Sequence, residues 1–165
     1  MKKVIKTVIN VSFLIYLLAL IYILFLRFRV DRMQGLDFST YVMSSTNLVP
    51  FRTINTYIQA MIDGSMNMYI PIENLAGNLL LFLPMGVFLP YYIARINKIS
   101  QFISSMIVLL FVVEAMQFIT RRGSFDIDDF ILNMIGALIG YGIWKMKLTQ
   151  KLLRYVSLKG DKYVA

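Results

Sequence analysis

Glu114-Ala-Met-Gln117-Phe-Ile-Thr-Arg121-Arg122-Gly-Ser-Phe-Asp126-Ile-Asp128-Asp129-Phe-Ile-Leu-Asn133-Met-Ile-Gly136 decides how this chain folds. It joins two apolar runs, residues 99–120 and 127–146, and polar side chains enter both runs from the junction. At 1.5 Å per residue each run spans, or nearly spans, roughly 30 Å of hydrocarbon as a helix. Working outward, residues 75–94 and 4–26 are of the same kind. The pattern predicts an all-α, polytopic membrane protein in which residues 1–165 form a single domain: a four-transmembrane-helix bundle with a long outer loop, 27–73, and a basic tail, 147–165. The composition agrees, since 58% of the 165 residues are hydrophobic and the mean hydropathy is +0.67, against an apolar share nearer a half in soluble domains.

The first run follows Lys2, Lys3 and Lys6 as a signal peptide would, but Arg27-Phe28-Arg29 replaces a small-residue cleavage site, so it reads as a signal anchor. With the N-terminus inside, eleven basic residues fall on the inner side and six on the outer. Both termini are therefore expected on the cytoplasmic face. All six outer basic residues are Arg, whose planar fork pairs with carboxylate or phosphate. Seven outer acids offer internal partners, and an acidic ligand is the other reading. The net charge of +8 lies beside the inner ends of the spans and in the tail. It suits anionic membrane lipids, with no motif for nucleic acid.

No Cys and no His are present. That excludes disulfides, thiolate nucleophiles, Ser-His-Asp triads and the commonest zinc ligands. Chemistry would have to run on carboxylates, arginines, amides and hydroxyls, and nothing points to a cofactor or a metal. Asp126, Asp128 and Asp129 resemble a hard-cation cluster, but three acids opening a helix are equally a cap and a dipole partner.

In the outer loop, Ile54, Tyr57, Ile58, Met61 and Ile62 recur at helical spacing before Gly64, predicting a short amphipathic helix at the interface or on the bundle. Pro84 predicts a kink in the second span, with Gly86 easing it. Gly136 and Gly140 form a G-x-x-x-G expected to pack on another helix. The short inner loop at 95–98 predicts a tight antiparallel pairing of spans two and three, and the outer turn pairs three with four. The limited area that four spans bury is compatible with a homodimer.

The polar residues fall on shared faces: Asn74 with Asn78, Glu114 with Gln117 and Arg121, and Asp129 with Asn133. From the helical rise, Asn78, Glu114 and Asn133 reach similar depths, where an ionisable group faces the bundle interior or a wet cavity. The candidate polar site is therefore Asn74, Asn78, Glu114, Gln117, Arg121, Arg122, Asp128, Asp129 and Asn133, with Arg52 joining it through the family resemblance below. The alternative is that Asn78, Asn133 and Glu114 only clamp helices together.

Asn47-Leu-Val-Pro-Phe-Arg52, Asn74-Leu-Ala-Gly-Asn78, Leu81-Phe-Leu-Pro-Met-Gly86, Glu114-Ala-Met-Gln117, Arg121-Arg122 and Asp128-Asp129-Phe-Ile-Leu-Asn133-Met-Ile-Gly136, in this order, resemble the VanZ-like family over about residues 47–142. The resemblance implies a multi-pass bacterial plasma-membrane protein linked to resistance to the glycopeptide teicoplanin. No reaction is attached to that family. Recognition of a cell-envelope lipid, a peptidoglycan intermediate (a cell-wall precursor) or a lipoglycopeptide at the outer face is the first reading. An enzyme or transporter for a lipid-linked phosphate substrate and an accessory membrane subunit are the alternatives.

Overall fold

The computed structural model describes residues 2–27, 35 and 37–156. The sidedness expected of Arg29, Arg32, Lys159 and Lys162 lies outside the described residues. Helix α1 (Lys2–Ile21) ends in a π-turn, Tyr22–Leu26, and is followed by the short α2 (Phe38–Ser44), strand β1 (Thr46–Asn47) and α3 (Arg52–Asp63). Then come α4 (Tyr69–Leu81), α5 (Leu83–Tyr92), a 3-10 turn at Ala94–Asn97, α6 (Ile99–Ile119), β2 (Phe125–Asp126), α7 (Ile127–Lys145) and α8 (Lys147–Val156). Among the described residues, four stretches are long and apolar enough to cross a membrane: Lys3–Leu26, Tyr69–Tyr92, Ile99–Ile119 and Ile127–Lys145. We call the end carrying α2, α3 and the 120–126 turn the loop end, and the end carrying α8 the tail end.

The second span starts at Tyr69, six residues before the expected Leu75, so Glu73 and Asn74 sit within the helix and the loop closes earlier than predicted. Asn67 is the reason: its side-chain oxygen accepts from Tyr69 N at 3.0 Å and its carbonyl from Ile70 N at 2.9 Å. Pro71 then sits in the first turn, where its missing N–H costs nothing. The expected break is present at Phe82, between α4 and α5, with Pro84 in the first turn of α5. The Tyr16 hydroxyl of span one donates to the carbonyl of Leu81 at 2.9 Å, satisfying a backbone group at the break. Phe13 and Tyr16 stack against Phe88, and Phe13 also stacks on Tyr92, which docks span one onto α5.

The tight antiparallel pair expected between spans two and three is not the main contact. Span two packs chiefly along span four, parallel to it. Small residues are the cause. A Cβ on Gly136 would overlap the carbonyl oxygen of Leu79, one on Gly140 that of Leu83, and one on Gly86 that of Ala137. The backbones approach through these three glycines, as small-residue interfaces in membranes allow. A short connection brings only the ends of two helices together; the side chains decide which faces meet. Span three adds Phe102, Met106, Leu110 and Glu114, one turn apart and buried, with Phe102 stacked on Tyr141 at 4.5 Å. At the tail end Asn97 ties the turn between spans two and three to span four. Its Oδ1 accepts from Trp144 Nε1 at 3.0 Å and Lys145 Nζ at 2.9 Å, and its carbonyl from the Tyr141 hydroxyl at 2.5 Å.

The loop-end helices are capped by carboxylates. Asp37 opens α2, accepting from Thr40 N at 3.2 Å and Ser39 Oγ at 2.7 Å. Hydrogen bonding from Thr40 and then Ser39 lowers its pKa from 3.8 to about 2. A depressed carboxyl pKa stabilises the fold above the unfolded value, and the contribution is lost as pH falls through the folded value. Protection of the Thr40 amide from hydrogen exchange is thus expected to be constant above pH 3.8 and to vanish through about pH 2. Asp37→Asn should abolish that dependence.

Candidate functional site

The loop end is organised around two buried carboxylates. Asp126 opens span four as its N-cap, accepting from Asp128 N at 2.8 Å. Its Oδ1 also accepts from Asn47 Nδ2 at 3.0 Å and its Oδ2 from Thr53 Oγ1 at 2.6 Å. Asp128, fully buried, reaches across to a different helix. Phe51 N donates to its Oδ1 at 2.5 Å, and Thr53 N and Ile54 N to its Oδ2 at 2.7 and 3.1 Å. It therefore caps α3 from span four, supplying negative charge where the helix dipole favours it. All four oxygens are used by protein donors. For Asp126 and Asp128 this geometry is that of caps.

Backbone pairing reinforces the joint. β1 and β2 run parallel with Thr46 opposite Phe125 and Asn47 opposite Asp126, and Phe125 N donates to Ser45 O at 2.8 Å. Phe51 holds φ +66°, a left-handed conformation costly for a large side chain. The three bonds that Asp128 makes to Phe51 and the two residues after Arg52 hold the turn that requires it.

The remaining site residues separate into distinct roles. Asn78 Nδ2 donates to Asp129 Oδ1, joining α4 to the first turn of span four. Asn74 bonds its own helix at Ile70 O, 2.8 Å away. Gln117 Nε2 donates to Leu24 O at 3.1 Å, in the π-turn of span one. Glu114 and Asn133 are buried inside the bundle, and the Oδ1 of Asn133 accepts no hydrogen bond from the described residues. Arg121, in the left-handed region at φ +54°, lies over the ring of Tyr41 at 4.8 Å, a cation–π distance. Arg27, which follows span one, pairs with Glu73.

Arg52 and Arg122 differ from these: both are exposed at the loop end, and among the described residues neither side chain makes an ion pair or hydrogen bond. Arg52 follows the tethered Phe51, and Arg122 lies four residues before Asp126 in a turn closed by Gln117 O, which accepts from Arg122 N and Gly123 N. Two cations are thus carried on a braced backbone. An open hollow of about 350 Å³ lined by Arg95, Ile96, Ser100, Gln101, Ser104 and Ser105 lies at the tail end, apart from all of these residues.

Sequence reading missed Tyr41. It is buried, and its hydroxyl donates to Phe118 O at 2.9 Å and Gly123 O at 3.2 Å, closing the turn that carries Arg121 and Arg122. No periodicity marks it. Asn47 and Thr53 flank Pro50 in sequence, and their shared partner, Asp126, is 79 and 73 residues away.

The sequence model of the VanZ/LLP1 family matches residues 13–149, which include every residue described above as a site candidate. The chain belongs to the VanZ/LLP1 family. It is similar to Protein VanZ from Enterococcus faecium, with 28% identity over 142 residues that cover 84% of this chain and 76% of that protein. No solved structure matches. The match to the VanZ/LLP1 family takes in the spans, the capped loop end and most of span one, and it stops within α8.

Proposed function

We propose that this VanZ/LLP1 protein recognises an anionic cell-envelope component at its loop end, and that it contributes in this way to protection against glycopeptides such as teicoplanin. Candidates are a lipid head group, a peptidoglycan intermediate and a lipoglycopeptide. On this reading the loop end faces outward and both termini are cytoplasmic, as the concentration of Lys at the other ends of the spans supports. The observation that carries the reading is the pair Arg52 and Arg122, exposed on a braced scaffold without protein partners among the described residues. Planar guanidinium groups held this way suit bidentate binding of phosphate or carboxylate. The enzyme or transporter reading would place acid/base or metal chemistry on Glu114 or Asp129, with Arg52 and Arg121 holding phosphate, since Asp126 and Asp128 are engaged by protein donors.

The test is teicoplanin and vancomycin susceptibility of a Gram-positive host expressing wild type, Arg52→Ala/Arg122→Ala or Glu114→Gln, with membrane abundance measured in parallel. Wild type should protect selectively against teicoplanin. The arginine variant should lose that protection at equal abundance, and Lys at both positions should restore it only in part. Full protection by the arginine variant would end the reading. No protection by abundant wild type would leave lipid-substrate turnover, or an accessory role in a complex, as the reading to pursue.

A further inference from the structure

Helix α3 packs on α4 and on span four, and Asp128 pins its first turn to the first turn of that span. Its height is therefore fixed at the edge of the hydrocarbon. Around its axis, at about 100° per residue, three faces alternate. Ile54, Tyr57, Ala60 and Met61 turn toward the bundle, buried or half-buried. Arg52, Asn55, Thr56, Gln59 and Asp63 form an exposed polar edge. Between the two lies an apolar stripe of Ile58 and Ile62, and the turn before the helix presents Leu48, Val49 and Phe51. All five are exposed, Ile62 to 74% and Phe51 to 62%.

A helix suspended in water has no use for that third face. At this height one solvent matches it, the boundary between head groups and acyl chains, where amphipathic helices lie with the apolar side about 5–10 Å deep. The first turns of α4, on which α3 rests, expose Tyr69, Ile70 and Ile72 as well, continuing the apolar surface of the span. The stiff Val49-Pro50-Phe51 turn precedes the helix as a wedge.

We infer that α3 and the turn before it are seated in a phospholipid leaflet, with Leu48, Val49, Phe51, Ile58 and Ile62 among the acyl chains and the Asn55–Gln59 edge toward water. The occupant of the stripe is lipid, not a protein. The inference is independent of the ligand proposed for Arg52 and Arg122, and its failure would leave that reading standing.

The chain contains no cysteine, so nitroxide labels at Ile58→Cys, Ile62→Cys and Gln59→Cys report single sites in the full-length protein. It is reconstituted in vesicles of phosphatidylethanolamine and phosphatidylglycerol. Val108→Cys, exposed along span three, supplies the lipid reference. Power saturation should give an oxygen-to-nickel-chelate collision ratio at Ile58 and Ile62 several-fold above that at Gln59 and shifted toward Val108. Ratios equal to that at Gln59 would put the stripe in water. Low collision with both reagents would put it under protein, such as a second copy. Either result overturns the inference. Ile62→Trp gives an independent readout, expected to be quenched by lipids brominated high on the acyl chain beyond the background of the buried Trp144; absence of that added quenching would equally refute it.

Discussion

Asp128→Ala is expected to be the most damaging single substitution at the loop end. The change strips the acceptor from three backbone N–H groups, those of Phe51, Thr53 and Ile54, and removes the charge that complements the start of α3. A buried donor left without a partner costs about 1–3 kcal/mol. Water reaching the loosened helix end recovers part of that, so a loss on the order of 3–5 kcal/mol is expected. In detergent the variant should melt well below wild type, and cleavage should appear first between residues 46 and 64. Asp128→Asn keeps one oxygen but presents an amide hydrogen to donors, so it should recover less than half of the loss. Asp129→Ala, one residue on, removes the bond from Asn78 but leaves the three backbone donors of the α3 cap with their acceptor, and should be milder. If all three variants melted together, the cap would not be what holds α3.

Gly136→Leu is expected to destroy the contact between spans two and four. Even the first carbon of the new side chain would fall on the Leu79 carbonyl oxygen, a backbone atom that cannot swing away. Overpacking costs about 1–3 kcal/mol where a core can adjust. Here the helices must separate, and the next contacts along the interface, at Gly140 and Gly86, are lost with them. Little monodisperse protein should survive extraction. Gly142→Ala is the control: a Cβ there meets nothing within 4 Å, and helix propensity favours the change by up to about 1 kcal/mol. A Gly136→Leu protein as abundant and as heat-stable as wild type would show that the parallel pairing contributes little.

Much of this was readable beforehand, because the membrane makes one demand that dominates. Apolar length located four spans, Gly64 and the period of Ile54 to Ile62 located α3, and Pro84 located the break at Phe82. Gly136 and Gly140 were read as a packing face, yet their partner was not. Loop lengths pair span three with both of its chain neighbours, whereas the glycines select span two as the partner of span four. The start of span two was missed because hydropathy overlooks a cap such as Asn67 beside a proline. At the site, the sequence placed Asp128 at a helix start but had no means of saying whose start it guards. That information lies in a contact 75 residues long, to which periodicity is blind. Tyr41 left no trace for the same reason.

That long contact also imposes an order of events during synthesis. The residues that α3 needs for its cap are made 75 positions after Thr53, which at roughly 5–20 residues per second is a delay of about 4–15 s. Throughout that interval two more long apolar segments are made while the segment destined to become α3 waits without its anchor. A chain released or truncated before Asp126 would thus carry span three yet leave α3 without its cap and the loop end unassembled, exposed to proteases and chaperones.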